Sequence, residues 1–157
     1  MKLSENKKEE CIKTFKEVNE DMMKYIINNQ DNSFIKSMKN RIEETGTLSK
    51  NMYSVVYSMM LPVANLDSKN KDLSFRLIRV MKKEGEYGSN YTLFGETTEG
   101  LIRIFFSSLD KVKDLLIDKK VIDYDGMFFE DVLDKNIYMK VSGTFDGYKI
   151  KRAKLNS

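Results

Sequence analysis

Apolar positions recur along this chain first at helical and then at strand spacing. Ile12, Phe15, Val18, Met22, Tyr25 and Ile26 fall three and four residues apart, which predicts one apolar stripe on a helix over residues 7–28. The polar run 29–32 stops it. Ser33 is placed to cap a second helix carrying Phe34, Ile35, Met38 and Ile42, and Gly46 supplies the left-handed residue that ends it. Ser49 caps a third helix with Met52, Val55, Val56, Met59 and Met60, closed by Pro62. Residues 63–72, rich in Asn, Asp, Ser and Lys, read as a linker. Beyond them the period shortens to two over 73–81, 90–94, 101–106, 136–142 and 147–155, with one short helix at 109–117. The expected fold is α+β: a helical segment over 1–62, a linker over 63–72 and a five-stranded antiparallel barrel over 73–157.

Alternation assigns strand faces. In 101–106, Ile102, Ile104 and Phe106 share one face and Leu101, Arg103 and Phe105 the other, so the face with Arg103 is the solvent candidate. Ile137, Met139 and Val141 alternate with Tyr138, Lys140 and Ser142, and Lys149 and Lys151 lie opposite Tyr148, Ile150 and Arg152. Tyr91 and Phe94 fall on opposite faces of their strand, so only one of them can be a stacking platform.

The sharpest local signal is the run from Tyr91 to Phe106. Two apolar segments joined by a polar turn containing Gly95 and ending in Gly100 make a hairpin. It resembles the second and third strands of OB domains in the replication protein A and bacteriophage single-strand-binding families, and the strand-strand-strand-helix-strand-strand order over 73–155 is similar to theirs. The resemblance implies an OB-like barrel that binds single-stranded DNA or RNA across its second and third strands and the adjoining loops. Many members of those families end in an acidic tail that recruits partners. This chain runs Lys151-Arg152-Ala153-Lys154-Leu155-Asn156-Ser157 instead, so such recruitment is not expected. Upstream, Ser33-Phe34-Ile35-Lys36-Ser37-Met38 followed by Gly46-Thr47-Leu48-Ser49 resembles a small helical module of phage and bacterial DNA-metabolism proteins. The Gln usual at the start of that module's next helix is Asn51 or Met52 here, and a capped hairpin packed on itself accounts for the same residues.

Composition narrows the chemistry. The chain has no His, which removes the usual general base, the commonest zinc ligand and every Ser-His or Cys-His nucleophile arrangement. Cys11 is single and cannot form an intramolecular disulfide. Asp123-Tyr124-Asp125-Gly126 has the start of a calcium loop, yet Met127-Phe128-Phe129 brings no oxygen ligands, so a turn is expected. No enzyme activity, cofactor or metal is expected. Residues 1–10 are charged and lack the apolar core of a secretory signal, and no apolar run reaches the roughly 18 residues of a membrane span. A cytoplasmic protein without membrane contact is expected.

Net charge is only +3, so a phosphate-binding face requires local segregation of sign. Some is visible: Lys140, Lys149, Lys151, Arg152 and Lys154 cluster late in the chain, and Asp123, Asp125, Glu130, Asp131 and Asp134 lie together before them. Exposed aromatics interleaved with Lys and Arg suit single strands, because bases stack on rings and cations neutralise phosphates. The candidate contacts are Lys82, Lys83, Tyr87, Tyr91, Arg103, Phe105, Tyr138, Lys140, Lys149 and Lys151. The expected role is non-catalytic binding of single-stranded nucleic acid in replication or recombination of a phage or bacterium, the source resting on abundant Lys, Asn and Ile. The alternative is a small phage-encoded protein-interaction module that inhibits a host defence or replication protein, for which ten Met and eight Tyr would provide an adaptable surface. The stripe over 7–28 leaves open a homo-oligomer through the N-terminal helices.

Overall fold

The computed structural model describes residues 15–67, 72–86 and 88–157. They divide after Met60 into two compact units.

In the first unit a strand β1 (Phe15–Glu17) precedes helices α1 (Glu20–Asn28) and α2 (Ser33–Thr45), a strand β2 (Thr47–Ser49) and helix α3 (Lys50–Met60). The single helix expected over 7–28 is corrected here, and its first part, 7–14, lies outside the described residues. Asn19 ends the extended segment and caps α1, its Oδ1 accepting from Met22 N at 2.9 Å. Phe15, Lys16 and Glu17 therefore satisfy their backbone against Ser49, Leu48 and Thr47 as an antiparallel pair. Asn32 takes the cap expected of Ser33, accepting from Phe34 N and Ile35 N. Gly46 ends α2 at φ 75 as its position predicts, and Ser49 Oγ accepts from Met52 N at 3.2 Å to start α3. Met22, Ile26, Ile35, Met38, Leu48, Tyr53 and Val56 are buried. Ser54 and Ser58 are buried as well, each donating its hydroxyl to a carbonyl three residues back, which removes the cost of enclosing them.

The second unit carries β3 (Leu73–Gly85), β4 (Gly88–Thr97), β5 (Gly100–Phe106), α4 (Lys113–Asp118), β6 (Tyr138–Asp146) and β7 (Lys149–Asn156). Hydrogen bonding follows the order β3-β4-β5-β7-β6 and returns from β6 to β3, so the five strands close into a ring. The sheet is mixed rather than antiparallel: β5 and β7 run parallel, with Arg103 opposite Lys149 and Ile104 opposite Ile150. The long crossover from β5 through α4 and β6 makes this geometry available, since parallel neighbours need such a connection. Residues 63–67, read as linker, join this unit. Val63 bridges Leu101, Leu66 bridges Gly147, and Ala64 and Leu66 are buried in its core.

That core is the ring interior: Phe75, Leu77, Leu93, Ile102, Ile104, Met139, Val141, Phe145 and Ile150, joined by Val112 and Leu116 of the α4 region. Ile102 and Ile104 face inward and Arg103 and Phe105 do not, as alternation predicts. Gly95 permits the closest approach, because a Cβ there would lie 2.6 Å from the Phe75 ring. Among the described residues no helix is long and apolar enough to cross a membrane.

Candidate nucleic-acid interface

Two irregularities in the ladders decide which cations reach the outer face. In β3 the register passes from Leu77 opposite Gly95 to Arg79 opposite Phe94, so Ile78 is an extra residue. Strict alternation from Phe75 and Leu77 would turn Arg79 into the core; the bulge turns it outward. In β7 the partners of Ser142 and Thr144 are Lys154 and Lys151, three residues apart against two. Arg152 takes up the extra residue at φ 52, packed against Gly143 at φ 152. It is exposed, whereas Ala153 and Leu155 turn back onto the core.

Register then assembles the outer face in rows. One row reads Arg79, Phe94, Arg103 and Lys149 across β3, β4, β5 and β7, and the next carries Met81, Thr92 and Phe105. Phe94 is 3% exposed although it points outward. The Arg79 and Arg103 guanidiniums lie 4.5 and 5.0 Å from its ring centroid and cover it. Arg103 is also 5.5 Å from the Tyr148 ring, with Lys149 Nζ 5.7 Å from the same ring. Burial and the nearby Arg103 charge lower the pKa of Arg79 from its ordinary value.

Beside the Phe105 row lies a groove of about 510 Å³ lined by Lys83, Tyr91, Phe105, Lys151 and Arg152, among others. It shares Phe105, Phe106, Ser107 and Arg152 with a second depression of about 680 Å³ whose further cations are Lys111 and Lys154. The two form one continuous surface feature. Phe105 stands half-buried at the junction, and among the described residues Asp110 is the one acidic side chain lining either part.

The sequence-predicted residues divide accordingly. Lys83, Tyr91, Phe105 and Lys151 share the groove, and Arg103 and Lys149 form the adjoining row. Tyr91 is half-buried with its ring 5.9 Å from that of Phe128. Lys82 is exposed, paired with Glu84 at 3.6 Å, and opens onto a different hollow of about 390 Å³ with Tyr91. Tyr138, 61% exposed, borders a separate depression with Ser74, Arg76 and Glu96, where Arg76 pairs with Glu96 at 3.5 Å. Lys140 pairs with Ser74 and with Asn156, at the far end of β7 from Lys149. Tyr87 lies outside the described residues. Sequence alternation missed Arg79, Lys111, Arg152 and Lys154 as contributors to this face. For Arg79, Arg152 and Lys154 the available signal was spacing, since Leu77 to Val80 and Ile150 to Ala153 each break the period of two by one residue; Lys111 lies outside the strands.

The acidic segment forms a turn, Asp123 Oδ1 accepting from Asp125 N and Met127 N at 2.9 and 3.0 Å. Tyr124, Met127 and Phe129 stand exposed on it. Among the described residues no group of three or more His, Cys, Asp or Glu side chains is arranged to hold a metal ion. No protein-family model, curated protein or solved structure matches the chain.

Proposed function

We propose that the protein binds single-stranded DNA or RNA, without catalysing a reaction on it, through an OB-like barrel. The closed five-strand order and the helix between the third and fourth strands support that architecture. The observation that carries the function is the continuous groove over Phe105, edged by Lys83, Lys111, Lys151, Arg152 and Lys154, with Asp110 as its sole acid among the described residues. Such a surface neutralises successive phosphates while a ring stacks on a base, and neither interaction selects a sequence strongly. The test is fluorescence anisotropy of labelled oligo-dT against the purified protein. Binding that weakens steeply with salt is expected, and absence of binding in about 50 mM salt, where cationic contacts are strongest, removes the proposal.

A second reading, docking of a basic protein partner, draws support from the exposed Tyr124, Met127 and Phe129 on their acidic turn. Aromatic and Met side chains are enriched at such interfaces. Failure of the oligonucleotide titration would leave this surface as the binding face.

A further inference from the structure

We propose that Arg79 and Arg103 together form a fixed site for one phosphate-type oxyanion on the outer face of β3, β4 and β5. The proposal deepens the nucleic-acid reading, on which it rests only for the source of the phosphate.

Three observations carry it. Both guanidiniums lie against one ring, Phe94, which is 3% exposed, so both are held at that ring before any ligand arrives. Neither forms an ion pair with a carboxylate among the described residues. Glu96, one row away, lies at 3.5 Å from Arg76 instead, and Asp146, the acid that ends the row, stands opposite Lys149. Finally, the Nε of each is buried without an acceptor, as is that of the ion-paired Arg76, while both side chains as a whole are half-buried.

A half-desolvated pair of like charges with unmet donors is unfavourable when empty. An arriving oxyanion supplies charge and acceptors at once, and planar N–H forks match phosphate oxygens better than a point charge would. The lowered pKa of Arg79, caused by burial and by the Arg103 charge, agrees with a pair that lacks its counter-ion. Bulge geometry explains why the site exists: without the extra residue Ile78, Arg79 would not stand opposite Phe94.

The test uses the whole protein and sodium pyrophosphate, compared with chloride at equal ionic strength. Pyrophosphate is expected to raise the melting temperature of the wild type. Arg79→Gln and Arg103→Gln should each weaken pyrophosphate binding about tenfold or more, as loss of a charge-assisted contact does. Lys36→Gln, an equal loss of charge on α2, should not. Equal stabilisation of all variants, or of none, overturns the proposal.

Arg79→Met separates binding from folding. It keeps apolar contact with Phe94 and removes the repulsion, so without the anion it should melt at or above the wild type in low salt. A clear drop would make the pair structural and would also overturn the proposal. Competition by oligo-dT identifies the phosphate as that of a strand. Pyrophosphate binding that depends on both arginines and ignores oligo-dT would leave the oxyanion site standing apart from the strand, whose binding to the groove the direct oligo-dT titration decides.

Discussion

Replacing Lys151 and Arg152 together by Gln tests the groove as an electrostatic surface. Five cations edge it: Lys83, Lys111, Lys151, Arg152 and Lys154. If each neutralises one phosphate of a single strand, the slope of log affinity against log salt is about −0.7 per contact, or about −3.5 in all. Affinity for oligo-dT should then fall about a hundredfold between 50 and 200 mM salt. Removing two of the five should flatten the slope by about 1.4. Phe105→Ala supplies the contrast, because loss of a stacked base costs about 1–3 kcal/mol, or about five- to a hundredfold in affinity, with no change in slope. Anisotropy titrations at four or five salt concentrations measure both quantities. An unchanged slope in Lys151→Gln/Arg152→Gln, or a Phe105→Ala effect that vanishes at high salt, would refute the division of labour between cations and ring.

Gly143→Ala should lower stability by about 1–3 kcal/mol in denaturant melts and weaken oligonucleotide binding, since its Cβ would lie 2.7 Å from the Lys151 carbonyl at a φ of 152 and disturb the bulge that presents Arg152. Gly95→Ala, pressed against Phe75, should cost a similar amount while leaving the affinity of the folded fraction intact. Ile104→Ala should lower stability by about 2–5 kcal/mol, and Phe105→Ala by clearly less, because the first empties the core and the second does not. Tyr138→Ala and Lys140→Ala should leave oligo-dT affinity within about twofold, as surface changes away from a site do; the same titrations check this.

How far the sequence carried depends on where period two held. In β5 it held from Ile102 on, so Ile102 and Ile104 were legible as core and Arg103 and Phe105 as surface, while Leu101, assigned to the solvent face, is buried where Val63 bridges it. In β3 and β7 one extra residue reversed the faces, which hid Arg79 and put Arg152 on the wrong side. Alternation cannot register a bulge unless the break in apolar spacing is itself read as a signal. Helical period misled for a related reason: Phe15 and Val18 fit the stripe of α1, but Asn19 caps the helix after them and their segment pairs with 47–49. Spacing does not say where a helix starts; a capping side chain does. The parallel pairing of β5 with β7, which brings Lys151 and Arg152 to the Phe105 groove, depends on ring closure between strands more than forty residues apart, and no local pattern encodes it.

Amide chemical shifts of the labelled protein, followed during titration with unlabelled oligo-dT, show where on the barrel a strand lies. Saturable shifts confined to Lys83, Arg103, Phe105, Ser107, Lys111 and the 149–154 segment are expected, with Tyr138, Lys140 and the turn at 123–129 unmoved. Shifts concentrated at Tyr124, Met127 and Phe129, or no shifts in low salt, would contradict strand binding in the groove.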